Sequence, residues 1–234
     1  MRDVDYDAWA KKLAVRIGNR VKGVDCGCGS GLITMRLKKM GYDVTGVDLS
    51  VEMLERAREN FRRENLNIPL VHMNAENLVV GNKVEFITAV CDVVNYMKKP
   101  EKFFVRAANA LKPNGVLLFD ISSRYKLENV IGNNVFTDST DDATYVWSNV
   151  LEKNRSKVEM LLTFFTKNAD GTYTKREESQ VQYIFDPEEL VEKLKTAGFE
   201  KVDYFGFSGV ASDEEERICF AAYKGSENGK STAT

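Results

Sequence analysis

A single histidine, His72, stands among 234 residues. It sits in the apolar run from Ile68 to Met73, where a strand residue is the expected reading rather than a catalytic base. Cysteine is scarce too: Cys26, Cys28, Cys91 and Cys219 are the only four. Cys26 and Cys28 are too close for an ordinary disulfide, and no CxxC pair meets a second cluster at zinc spacing. Reduced, buried or half-buried thiols and no metal site are expected. No apolar run approaches the roughly 20 residues that span a bilayer, and the N-terminal stretch lacks a signal-peptide core. The expectation is a cytoplasmic protein with no membrane partner. Charge of one sign is also lacking, with 33 basic against 35 acidic residues and a net charge of −2. That balance gives no global attraction to nucleic acid, which is an unlikely partner on this reading. No internal repeat is visible.

What is present is ordinary globular composition, 43% hydrophobic and 29% charged. The length suffices for one α/β domain with a modest appended part. Val4, Ala8, Trp9, Leu13 and Ile17 recur at helical spacing before Gly18. Strands are expected at 21–26, 43–48, 69–73, 84–91 and 116–121. Helices are expected between them at 31–40, from Ser50 as N-cap to about 65, and from Pro100 to 111. Lys112-Pro113-Asn114-Gly115 has turn chemistry. Strands alternating with helices imply βαβ units and a parallel sheet with right-handed crossovers.

After residue 121 the pattern changes. A short helix is expected within 122–132, followed by extended stretches at 144–151, 158–166 and 173–185. Asn168-Ala169-Asp170-Gly171 supplies a hairpin connection between the last two. Asp186-Pro187-Glu188-Glu189 announces a helix running to Gly198, and 199–207 and 217–223 read as closing strands. The expected organisation is a doubly wound, Rossmann-like, mostly parallel seven-stranded sheet formed by 1–121 and 186–224. An antiparallel β insertion at 122–185 is placed to act as a lid, and 225–234 reads as a disordered tail.

The chemistry concentrates where the first strand gives way to a helix, at Asp25-Cys26-Gly27-Cys28-Gly29-Ser30-Gly31. Glycines there permit a tight turn and let a ligand touch the backbone, although an ordinary strand-to-helix turn can also use them. A dinucleotide fingerprint requires G-x-G-x-x-G, and the residue after Gly31 is Leu32. Charge discriminates further. Asp25 would repel a pyrophosphate seated at the helix N-terminus, whereas the sulfonium and ammonium of S-adenosylmethionine gain from a nearby acid. Asp48 closes the second strand 21 positions after Gly27, where a carboxylate can accept from ribose hydroxyls.

These residues resemble the class I S-adenosylmethionine-dependent methyltransferases, and within them a group of small bacterial and archaeal enzymes with an antiparallel insertion after strand five. The matching stretches are VDCGCGSGLITMRL, GYDVTGVDLSVEMLERARE, CDVVNYM, LKPNGVLLFDISSRYKLENVIGN and FDPEELVEKLKTAGF. The resemblance implies that Asp25, Gly27, Gly29 and Gly31 line the methionine part of the cofactor, with Cys91 nearby, and that Asp48 binds the ribose. It implies that Leu49 and Met53 pack on the adenine, with Asn74 and Ala75 at its edge. The family commonly has Asp where Asn74 stands; an amide oxygen still accepts but brings no charge. Glu85 replaces a usual Asp and is expected to be structural.

Methyl transfer needs the acceptor held in line and water excluded, with a general base only where the acceptor must lose a proton. Asp92, Asn95 and Tyr96, leaving strand four at the ligand-binding edge, are candidates to orient or deprotonate the acceptor; a helix cap and a packing tyrosine account for them equally. Tyr6 and Trp9 stand equally between a cover for the cofactor and a plain amphipathic helix. The Asn/Asp-Pro-Pro-aromatic signature of base amino-methylating enzymes is absent, as is a Pro-Cys nucleophile pair. A small-molecule acceptor is therefore expected. Two other readings predict different behaviour: an NAD(P)-dependent oxidoreductase, and a non-catalytic S-adenosylmethionine-binding module.

Overall fold

The structure, a computed structural model, describes residues 5–209 and 212–226. Val4 and most of the expected tail lie outside the described residues. The Asp5 carboxylate accepts from the N–H groups of Asp7 and Ala8 and starts α1 (Tyr6–Ile17), whose buried stripe is Trp9, Ala10, Leu13 and Ile17. The chain then alternates β1 (Lys22–Cys26), α2 (Leu32–Lys39), β2 (Asp43–Asp48), α3 (Val51–Arg63), β3 (Leu70–His72), β4 (Val84–Ala89), α4 (Glu101–Ala110) and β5 (Leu111–Ser122). Single 3₁₀ turns at Ala75–Asn77 and Val93–Tyr96 follow β3 and β4. After the second sheet come α5 (Pro187–Thr196), β10 (Phe199–Gly206) and β11 (Arg217–Lys224).

Seven strands pair in the order β10-β11-β5-β4-β1-β2-β3. Only β11 runs against the rest, antiparallel to both β5 and β10. From β1 the chain builds outward to β2 and β3, then crosses to β4 and β5, so the strand order reverses between β1 and β4. The crevice beyond the carboxyl ends of those strands is where such sheets bind ligands. Side chains alternate along β5: Leu117, Phe119 and Ile121 join the core under α4 and α5, while Val116 and Leu118 join the core under α1 and α2. Helices thus cover both faces.

β5 begins earlier than its apolar run suggests. Leu111 already pairs with Val84, and the ladder resumes only at Val116 opposite Phe86. Lys112–Gly115 makes its turn as a bulge within the strand, with Asn114 at φ 59°. The 122–132 segment contains a π-helical turn, Lys126–Ile131. Glu85 accepts from the N–H groups of Val21 and Lys22 at 2.6 and 3.0 Å and from Lys112 at 3.1 Å, tying the start of β1 to the bulge.

The second sheet is a meander of β6 (Val135–Ser139), β7 (Ala143–Leu151), β8 (Lys157–Lys167) and β9 (Tyr173–Tyr183). Leu127 and Ile131 pack with Val158, Met160 and Ile184 in a small core of its own. Three contacts tie β9 to the elements of the first sheet: the Tyr96 hydroxyl donates to Gln180 Oε1 at 3.3 Å, Asn95 Nδ2 donates to Tyr183 O at 3.0 Å, and Arg176 reaches Glu52 at the start of α3, 3.5 Å away. No described helix is long and apolar enough to cross a membrane.

Candidate active site

Three glycines in left-handed conformation turn the chain from β1 into α2: Gly27 (φ 67°), Gly29 (φ 54°) and Gly31 (φ 78°). Their surroundings differ. A Cβ on Gly27 would lie 2.4 Å from Val93 Cγ2, and one on Gly31 would lie 2.5 Å from the Phe61 ring. A Cβ on Gly29 would meet nothing within 4 Å, so the open side of the turn is there. These are the dimensions of a backbone cradle.

Asp25 lies beneath this cradle rather than in it. Its carboxyl is 1% exposed and accepts from Thr34 Oγ1 at 2.6 Å and Thr88 Oγ1 at 2.7 Å. Burial pushes it up to about 6, against the pull of the two threonine hydrogen bonds. The resemblance implies that Asp25 lines the ligand; the structure places its carboxyl under the turn, bonded to Thr34 and Thr88. Asp48, by contrast, sits at the surface of the crevice. One oxygen accepts from Gly29 N–H at 2.7 Å and the other from Ser50 N–H at 2.8 Å. A carboxylate offers about four acceptor positions, so capacity remains for two hydroxyls.

Beside Asp48, Leu49 is 65% exposed and Met53 38% exposed, an apolar surface on the crevice rim. His72 Nε2 lies 2.9 Å from Leu49 O and fixes the loop that carries it. Asn74 caps the turn after β3, its amide oxygen accepting from Glu76 N–H at 2.9 Å, and Ala75 is buried beneath.

The opposite wall is the corner after β4. Cys91 (φ 66°) and Asp92 (φ 67°) are consecutive non-glycine residues in left-handed conformation, each costing on the order of 1–2 kcal/mol. Burial and the neighbouring Asp120 push the Cys91 thiol up to about 12, so it is not a nucleophile. Asp92 Oδ1 accepts from Arg217 Nη1 at 2.7 Å. Asn95 is wholly buried: its amide nitrogen donates to the carbonyls of Ser122 and Tyr183, and its oxygen accepts from Ser122 N–H. It braces β5 against β9, and of the two roles expected for it, orienting an acceptor or serving the fold, these bonds describe the second. Desolvation, the main cause, raises the Tyr96 phenol, with a smaller push from Asp92, so Tyr96 is a hydrogen-bond donor rather than a base at neutral pH. Trp9 packs on Phe207 at 4.5 Å between ring centroids and beneath the Arg217 guanidinium, a core role.

Asp120 and Arg217 were not singled out by sequence reasoning. Asp120 is fully buried on β5, Arg217 opens β11, and they lie 97 positions apart in contact with each other. A buried acid at the end of a central strand was the available signal.

Fold and site together define a doubly wound α/β protein with a glycine turn and a strand-end carboxylate, Asp48, at its switch point. Residues 24–115 match the family described as a methyltransferase domain. A protein of Geobacillus sp. (strain WCH70), named as a methyltransferase without a stated acceptor, is 32% identical over 96% of this chain and 95% of its own length. YqeM of Bacillus subtilis (strain 168), named in the same way, is 30% identical over 96% of this chain and 92% of its own. The crystal structure of a S-adenosylmethionine-dependent methyltransferase from Clostridium acetobutylicum superposes with a TM-score of 0.85 at 31% identity, covering 96% of this chain and 94% of that one. The chain belongs to the class I S-adenosylmethionine-dependent methyltransferases, and its cofactor is S-adenosyl-L-methionine. The oxidoreductase alternative falls with that assignment.

Proposed function

We propose that the enzyme methylates a polar small molecule seated between the crevice edge of the seven-stranded sheet and the facing side of the second sheet, which acts as a lid. One observation carries the reading. Ser122 Oγ, Trp147 Nε1, Asn149 Oδ1 and Gln182 Oε1 are buried polar atoms without a hydrogen-bond partner. Strand register puts Trp147, Asn149, Gln180 and Gln182 on one face of the second sheet, the face that meets Tyr96. The Asn95 amide ties the backbone of Ser122 to that of Tyr183, next to Gln182 on β9. Each unsatisfied buried group costs about 1–3 kcal/mol, and a polar ligand, or water arriving with it, would supply the missing partners.

For the cofactor, the Gly27–Gly29–Gly31 turn would hold the methionine end, flanked by Cys91, with Asp25 fixing the turn from beneath. Asp48 would take the ribose hydroxyls. Leu49 and Met53 would cover the adenine, and Asn74 with Ala75 would meet its edge. Bound S-adenosylmethionine supplies an activated methyl group for in-line displacement. The chain's own work is to hold the acceptor in line and exclude water. Tyr96 would give up its bond to Gln180 and donate to the acceptor instead. Asp92, with Oδ1 held by Arg217, would take the acceptor's proton where one must leave.

The test is S-adenosylhomocysteine formation from S-adenosylmethionine over a panel of polar amines, hydroxylated rings and thiols, with protein and nucleic acid included. Turnover confined to polar small molecules is expected. It should be lost in Gln182→Leu while S-adenosylhomocysteine still binds with wild-type affinity. Turnover of protein or nucleic acid alone would contradict the reading, and cofactor binding without any turnover would favour the non-catalytic module.

A further inference from the structure

The Cys91–Asp92 corner is the least relaxed backbone in the crevice, and it is held from behind rather than by its own turn. Asp120 Oδ1 accepts from Cys91 N–H at 2.7 Å and Asp120 Oδ2 from Asp92 N–H at 3.3 Å, so one carboxylate takes both donors of the left-handed pair. Arg217 Nη1 then bridges Asp120 Oδ2 and Asp92 Oδ1, coupling the side chain of the corner to its backbone clamp. Val93, the next residue, fills the space that a Cβ on Gly27 would occupy. The corner therefore sets the position of the glycine turn across the crevice.

We propose that Asp120 and Arg217 are positioning residues, a latch that holds the Cys91–Asp92 corner against the glycine turn in the shape that binds the cofactor's methionine end. Neither touches the reacting atoms. The latch takes two charges largely out of water, and desolvating them opposes folding unless they stay paired. Three charges share the space: Asp120 at 0% side-chain exposure, Asp92 at 15% and Arg217 at 16%. Cys91 on the corner and Cys219, opposite Asp120 on β11, adjoin the cluster, and burial pushes both thiols up to about 12. Glu215, which accepts from Arg217 N–H, and Lys12 act on Cys219, and Tyr6 faces Cys91. Burial lifts Asp120 above the ordinary carboxylate range against the pull of Arg217, with Asp92 adding to the lift. Arg217 stays charged because the two aspartates outweigh its own desolvation. Protonation of Asp120 as pH falls would weaken its grip on the two N–H groups and loosen the corner.

The inference rests on the cofactor assignment alone, so an error in the acceptor reading leaves it intact. Calorimetric titration of the full chain with S-adenosylhomocysteine tests it across about pH 5.5 to 8.5. The wild type should lose affinity as pH falls. Asp120→Asn should bind about tenfold or more weakly at high pH and lose that part of the pH dependence. Asp25 also titrates in this window, and its contribution should remain in Asp120→Asn. Arg217→Met should weaken binding as Asp120→Asn does, and Arg217→Lys should recover most of it. Near-UV circular dichroism identifies variants that fold. Folded Asp120→Asn and Arg217→Met that bind like wild type at every pH would overturn the latch. If Asp120→Asn does not fold, equal affinity for wild type, Arg217→Met and Arg217→Lys throughout the range would overturn it equally.

Discussion

Gly27 and Gly29 share a left-handed backbone and differ in what a side chain would meet, so alanine separates packing from binding. Gly27→Ala drives a methyl group into Val93 and should cost about 2–4 kcal/mol of stability in denaturant unfolding. Gly29→Ala enters open space and should cost only about 1–2 kcal/mol. It should nonetheless abolish S-adenosylhomocysteine binding, because the methyl group stands where the ligand's backbone contact belongs. Asp25 gives a second contrast. A carboxyl raised to about 6 in the fold contributes most below its unfolded value near 4 and loses that contribution as pH rises through 6. Without ligand, Asp25→Asn should therefore be more stable than wild type by about 1–3 kcal/mol at pH 8 and show little gain at pH 4; thermal melts at the two pH values decide. These residues were legible because their chemistry is local, within one strand, one turn and the next strand end. Asp120 and Arg217 were not, since nothing between them in the chain marks that β11 returns beside β5. Asn95 was legible as important, but its three backbone partners come from β5 and β9, which no local pattern could name.

At the scale of elements, hydrophobic period and caps located every α-helix and all strands but one among the described residues. β6 escaped because Val135–Ser139 is exposed along nearly its whole length and shows no alternation. Asp186 marked the start of α5 correctly, yet its side chain makes no cap; Arg124 draws both oxygens away at 2.9 and 3.0 Å. Glu85 proves to be a clasp on β1. Hydrogen bonds from Val21 and Lys22 N–H, then Lys112, pull it down to about 2. A depressed carboxylate stabilises above its unfolded value near 4.3 and loses that as pH falls through 2. At pH 7, Glu85→Gln should cost about 1–2 kcal/mol after allowance for solvent screening, and at pH 2 the difference should nearly vanish. Leu127→Ala opens the small core beneath the second sheet and should cost about 2–4 kcal/mol. If the lid is a separate layer over the crevice, that variant should keep S-adenosylhomocysteine binding and lose turnover.

For the whole molecule, the decisive fact is where the strand order reverses. β1 and β4 end side by side, and everything read as functional gathers at their carboxyl ends: the glycine turn, Asp48 from the neighbouring β2, the Cys91–Asp92 corner and the face of the second sheet. The alternation of strands and helices made the parallel sheet legible, and the switch point follows from it. The depth of the site was not legible, because burial decides whether Asp25 touches a ligand or supports the backbone that does. The central claim is that Asp48, already holding Gly29, also holds the cofactor's ribose. Calorimetric titration with S-adenosylhomocysteine tests it most directly. Wild type should bind in the micromolar range and Asp48→Ala should lose about 1–3 kcal/mol of that affinity. Equal affinity in a folded Asp48→Ala would contradict the account.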